Sequence, residues 1–162
     1  MNICAVFKSG NINLVGPIFG NPDMGRNYIV QDCVYAVILN DAGEVAVART
    51  PKGVVLIGGG VERGESERDA LHREAYEESG YRIDIRNRLG IASQYVSNFT
   101  KGRFRLKRGV FFLCEFTERL GPPVEPDHEL IWLAYDDAHQ KLIRPFHRWA
   151  LEVGFAGEQA SP

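Results

Sequence analysis

Residues 58–81 read GGGVERGESERDALHREAYEESGY, and this stretch constrains the chain more than any other. Glu74, Glu77 and Glu78 stand at spacings i, i+3 and i+4. In a helix these positions share a face, where like charges repel by roughly 0.2–0.5 kcal/mol per pair. Glu77 and Glu78 also fall in the last turn before Gly80. That is the end of a helix where the backbone dipole disfavours anions. A helix written for stability alone would place these charges elsewhere, and a bound cation would relieve both penalties.

The helix is expected to start at Ser66 as N-cap, with Glu67 and Asp69 in the favourable first turn, and to end at Gly80 as the C′ residue. On a helical wheel Leu71 and Ala75 form a narrow apolar strip. The arc carrying the three glutamates lies beside that strip, so the acids point along the seam between helix and body, where solvation is partial. A purely solvated charge face would lie across the helix from the apolar residues. Carboxylates with no histidine or cysteine among them suit a hard cation such as Mg²⁺ or Mn²⁺, which completes its shell with water and substrate phosphates. The glycines before the helix allow the backbone to approach a metal or phosphate closely. Together these features describe metal-assisted attack of water on a phosphate or diphosphate.

The remainder of the chain reads as strands with few helices. Residues 3–7 and 12–15 look like short strands around a turn, and residues 1–30 as a segment that packs on the main domain, as an edge hairpin or a dimer arm. The run CVYAVIL at 33–39 suits a strand buried on both faces. After the turn at 40–43 comes a hairpin partner at 44–50, then a short buried strand at 54–57. Further strands are expected at 81–85, 89–96, 109–116 and 129–134, a short helix at 136–142, and a final helix from Pro145 to a stop at Gly154. Residues 31–154 form the expected domain and 155–162 a frayed tail. Strands this numerous and closely spaced exclude a regular βαβ repeat. The expected class is α/β, an α/β/α sandwich with a central mixed β-sheet.

The 162 residues fit one domain with a core of its own. A net charge of −2 argues against wholesale nucleic-acid or membrane-surface binding. Cys4, Cys33 and Cys114 are odd in number and far apart, which fits reduced thiols in a cytoplasmic protein. No apolar stretch approaches the roughly 20 residues of a membrane span.

Gly59, Glu65, Arg73, Glu74, Glu77, Glu78 and Gly80 match the Nudix box in type and spacing, and the chain therefore resembles the Nudix hydrolase (MutT-like) family. Ala75 and Tyr81 stand where the family prefers a larger aliphatic residue, and Ile57 where many members have proline. The resemblance implies hydrolysis of a diphosphate bond in a nucleoside diphosphate derivative, a small-molecule nucleotide, with Mg²⁺ or Mn²⁺ as cofactor and water as nucleophile. It implies Glu74 and Glu78 as main metal ligands, joined by the Gly58 carbonyl, and Glu77 as a further ligand or an activator of the water. Arg73 would orient Glu65 and Glu77, and Glu65 would brace the loop. The family's general base often lies outside the box, and Glu129 is the candidate here.

Outside the box, Arg103, Arg105 and Lys107 alternate along an expected strand and share a face opposite Phe104 and Leu106. They suit contacts to substrate phosphates, or equally a charged edge strand that deters aggregation. Tyr95 is an aromatic available to stack on a base, and His128 lies beside Glu129. A different class of function also fits: a module that binds or senses a nucleotide, with little or no hydrolysis. A homodimer formed through the N-terminal segment is a further expectation.

Overall fold

The apolar run at 33–39 forms the inner part of β2 (Ile29–Ile38), buried from Cys33 onward. It lacks hydrophobic alternation because both of its faces are covered. Val34, Ala36 and Ile38 pack into one hydrophobic cluster, and Cys33, Tyr35 and Val37 into another on the opposite side. The computed structural model describes residues 16–159, so the expected strands at 3–7 and 12–15 lie outside the described residues.

β2 sits in a five-stranded sheet of order β1-β6-β7-β2-β5, with β1 spanning Ile18–Phe19, β5 Ile57–Gly60, β6 Tyr81–Asn98 and β7 Arg103–Arg119. The sheet is mixed: β1 runs parallel to β6 and β2 to β7, while β6–β7 and β2–β5 are antiparallel. A second, antiparallel sheet has the order β4-β3-β8, with β3 Val45–Thr50, β4 Gly53–Val55 and β8 Glu129–Leu133. Helix α1 (Glu67–Ser79) buries Ala70, Leu71 and Ala75 against the even-numbered residues of β2 and β3. Helices α2 (Tyr135–Lys141) and α3 (Pro145–Gln159) cover the other side through Ala138, Leu142, Phe146, Ala150 and Leu151. The result is the α/β/α sandwich with a mixed central sheet. Ala75 is fully buried in spite of its size.

Three elements differ from their sequence-based expectation. The strand expected at 54–57 is split, and its halves, β4 and β5, belong to different sheets. Leu56, between them, is fully buried and donates its N–H to His147 Nδ1 at 3.2 Å. The strands expected at 81–85 and 89–96 are one continuous β6, bent by register shifts at Ile85/Asn87 and Arg88/Gly90. Helix α3 does not stop at Gly154 but runs on to Gln159. Gly154 is buried there, and a Cβ would stand 3.0 Å from Val37 Cγ1 and 3.2 Å from Leu89 Cδ1. This glycine serves close approach of helix to sheet, not termination. Among the described residues no helix is long and apolar enough to cross a membrane.

Helix propensity and packing therefore make opposite demands on two glycines of α3. Gly157 has nothing within 4 Å of an added Cβ. Gly157→Ala should raise stability by up to about 1 kcal/mol, whereas Gly154→Val should lower it by about 1–3 kcal/mol through overpacking. Urea denaturation of both variants checks the pair.

Candidate active site

The ends of α1 are set as the sequence indicates. Ser66 accepts a hydrogen bond from the Asp69 N–H, and Gly80 closes the helix in the left-handed region at φ 75°. No basic residue occupies the last turn, so nothing on the helix itself offsets Glu77 and Glu78 there. The β7–β8 loop supplies donors instead. Val124 and Glu125 donate their N–H groups to Glu77 O at 2.8 and 3.1 Å, and Leu120 donates to Gly80 O at 2.8 Å. A Cβ on Gly80 would lie 2.1 Å from Gly121 O, so glycine is required both for the turn and for this docking.

Arg73 gathers the acids. Its Nε and Nη2 donate to the two oxygens of Glu65, each at 2.9 Å. Nη1 donates to Glu74 Oε1 at 2.8 Å and to Glu77 Oε2 at 3.1 Å, and Nη2 also reaches Gly60 O at 3.0 Å. The bonds from Arg73 hold the Glu65 carboxyl below its usual range, and those same bonds raise the pKa of Arg73. Glu65 in turn accepts the Glu62 N–H at 3.0 Å, which fixes the loop ahead of the helix.

Glu78 is the most enclosed of the acids, only 5% exposed. Its Oε2 accepts the Gly58 N–H at 2.8 Å, and Oε1 lies 3.6 Å from His128 Nε2. Burial pushes its pKa up to about 8, with the Gly58 hydrogen bond opposing and the nearby acids adding to the rise. Burial likewise raises Glu74, against the pull of Arg73. The glycines of β5 shape this enclosure. A Cβ on Gly59 would stand 2.6 Å from the Glu74 carboxylate, and one on Gly58, at φ 137°, would run into Val34 O and the Tyr35 backbone. The space of a missing side chain is thus where the Glu74 carboxylate rests.

Gly58, Glu65, Arg73, Glu74, Glu77 and Glu78 are all brought together. Glu129 is placed apart from them: it opens β8 with 63% of its side chain exposed, and pairs with Arg49 at 2.9 Å. From the same region, Glu125 and His128 reach Glu78, with Glu125 Oε2 contacting His128 Nδ1. Sequence reasoning named His128 but passed over Glu125, whose only signal was its place in a loop that returns to the helix end. Tyr95 and the basic residues divide between two faces. Tyr95 pairs with Leu106 and shares the face of Phe104, packed edge-on to Tyr28 at 5.0 Å. Arg103 and Arg105 project from the other face of β7.

A family model described as the NUDIX domain matches residues 30–152. The chain belongs to the NUDIX family. Solved structures overlay on it. A NUDIX hydrolase from Nitrosomonas europaea has a TM-score of 0.64 at 22% identity, covering 78% of this chain and 89% of that one. The E. coli ORF135 protein has a TM-score of 0.60 at 27% identity, covering 83% and 95%. An ADP-ribose pyrophosphatase from Streptococcus suis has a TM-score of 0.58 at 18% identity, covering 82% and 94%. Comparison with curated proteins gave no match. The protein is a Nudix-type hydrolase.

The Nudix box residues fit a divalent cation on the chemistry of their donors. Glu74, Glu77 and Glu78 offer hard oxygens, and of these Glu78 has no cationic Lys or Arg partner. One donor atom each from Glu78, Glu125 and His128 lies within 4.8 Å of the others, which extends the donor set beyond the helix.

The raised pKa of Glu78 sets a sign for metal-free stability. The folded protein holds this proton up to about pH 8, while the unfolded chain releases it near the ordinary value of 4.5. Between those values the native state binds more protons, so this group lowers stability as pH rises through the window. In EDTA, the melting temperature should therefore fall less from pH 5 to pH 8 in Glu78→Gln than in the parent, and the variant should be the more stable at pH 8. Thermal unfolding at the two pH values checks this.

Proposed function

We propose that this Nudix hydrolase cleaves a diphosphate bond in a nucleoside diphosphate derivative, with Mg²⁺ or Mn²⁺ as cofactor and water as nucleophile. The observation that carries the reading is the gathering of Glu74 and Glu77 on one guanidinium, with Glu78 buried beside them and held by the Gly58 N–H. When bound, the cation supplies charge for the diphosphate oxygens and acidity for a coordinated water. Glu74 and Glu78 would hold it, with Glu77 and the Gly58 carbonyl as further donors. Arg73 keeps the carboxylates oriented, so the donor set is formed before the substrate arrives. Glu65 braces the loop through Arg73 and the Glu62 N–H.

A base must accept a proton from the attacking water. Glu129 is held in an exposed ion pair with Arg49, whereas Glu125 stands beside His128 and Glu78. Position favours Glu125. Arg103 and Arg105 supply cations toward the substrate's anionic groups, and Tyr95, on the opposite face, belongs with the aromatic packing around Tyr28.

Glu74→Gln and Glu78→Gln should each cut turnover by two or more orders of magnitude against a panel of nucleoside diphosphate derivatives, with unchanged circular dichroism. Glu125→Gln should cost more than Glu129→Gln. Full turnover in both helix variants, or turnover in EDTA, would sink the reading. Nucleotide binding without product across the panel would favour a sensing module instead.

A further inference from the structure

On the side of the sheet covered by α3, four cations converge with no anion among them. Lys107 and Arg105 lie on one face of β7, with Gln94 across the ladder from Lys107. Gln94 Oε1 accepts the Phe146 N–H at 3.3 Å, which ties the start of α3 to this point of the sheet. Arg144 lies immediately before α3, and its carbonyl accepts the His147 and Arg148 N–H groups at 3.0 and 3.2 Å. Ile143 donates its N–H to Val54 O at 3.1 Å and packs over Gly53, which brings the Lys52 turn alongside Arg144.

None of Lys52, Arg105, Lys107 and Arg144 makes an ion pair or a side-chain hydrogen bond among the described residues. Residues 1–15 contain no Asp or Glu, so that segment has no side-chain carboxylate to pair with them. Lys107 is half-buried, and burial together with the other cations pulls its pKa down. Lysines are seldom enclosed without a partner. A solvated charge face, the ordinary account of surface cations, does not fit a half-buried lysine ringed by like charges in a chain of net charge −2.

The cluster stands next to the Nudix site. Gly58, whose N–H holds Glu78, is the ladder partner of Tyr35, and Tyr35 stacks edge-on to His147 at 4.4 Å between ring centroids. Lys107 pairs with Gln31, four residues along β2 from the Tyr35 that pairs with Gly58, so its backbone stands about 16 Å from Gly58 at ordinary strand and residue spacings. β5 is the edge of the sheet, so a ligand whose diphosphate lies at Gly58 can pass around that edge toward these cations.

We propose that Lys52, Arg105, Lys107 and Arg144 form a phosphate-binding site beside the diphosphate-cleaving centre, and that the substrate carries at least one phosphoryl group beyond the scissile diphosphate. This rests on the function proposed above. It favours nucleoside triphosphates, tetraphosphates or dinucleoside polyphosphates over nucleoside diphosphate sugars. Oxygens of the extra phosphoryl group accept hydrogen bonds from the ammonium and guanidinium groups, whose mutual repulsion the ligand relieves.

The test has two readouts. Calorimetric titration with inorganic tripolyphosphate in EDTA reports the cation site without catalysis. Lys107→Met, which keeps the aliphatic stem, and Arg144→Gln, which keeps a polar side chain, should each weaken binding tenfold or more while remaining folded by circular dichroism. Unchanged affinity in both folded variants overturns the proposal. The second readout is the ratio of kcat/KM for diadenosine tetraphosphate to that for ADP-ribose. It should exceed one in the parent and fall at least tenfold in either variant. A parent that prefers ADP-ribose, or a ratio unmoved by both substitutions, overturns it. If no substrate turns over at all, the hydrolase reading fails and the tripolyphosphate titration alone decides this one.

Discussion

One guanidinium holds the site in shape. Arg73 spans the end of β5 at Gly60, the brace at Glu65 and two acids of its own helix, and so fixes four groups with a single charge. The bidentate pair with Glu65 sets the plane of the guanidinium, and the remaining donors are then aimed by geometry. One cation against Glu65, Glu74 and Glu77 leaves a negative excess. That excess suits a divalent cation on electrostatic grounds. It also explains why the acids crowd the unfavourable end of α1: the helix is stabilised by Ala70, Leu71 and Ala75 in the core, which leaves the charged arc free for chemistry.

Backbone without side chains does much of the positioning. Gly59 leaves room for the Glu74 carboxylate against β5, and Gly58 lets the strand press onto Val34 and Tyr35 while its N–H turns to Glu78. Gly80 lets the β7–β8 loop sit directly on the helix end, which brings Glu125 and His128 to Glu78. Alanine at any of these places would be a small change in polarity but a collision in space.

What could be read from the sequence was local. The limits of α1, its N-cap and its C′ glycine depend on spacings within about two turns of helix, and the family resemblance implied the hold of Arg73 on Glu65 and Glu77 but not its bond to Glu74. The α/β class followed from the count and spacing of strands. What could not be read depends on partners far along the chain. The apolar run 54–57 looks like one strand because nothing local reveals that Leu56 crosses from one sheet to another. Gly154 looks like a stop because its reason for being glycine, Val37 and Leu89, lies elsewhere. Glu129 and Glu125 are only four residues apart. The pairing of β8 with β3 sends Glu129 to Arg49, and the docking of the loop on α1 sends Glu125 to the site. The cationic cluster is likewise assembled from four separate segments, and only the alternation in β7 was visible beforehand.

His147 joins these parts. Its Nδ1 accepts the Leu56 N–H at the point where the chain leaves β4 for β5, so the proton of the neutral ring is on Nε2. The ring is buried among Tyr35, Phe146 and Phe111. Burial, with Arg144 and Lys107 nearby, drives its pKa well below the ordinary value and keeps it neutral. A protonated ring would lose the acceptor that Leu56 needs and would add a fifth positive charge beside the four already there. The same neutral histidine therefore anchors the strand that carries the box glycines and the helix that starts at Pro145. The relative placement of the Nudix-box carboxylates and the cation cluster is fixed through the core, and not through the surface loops between them.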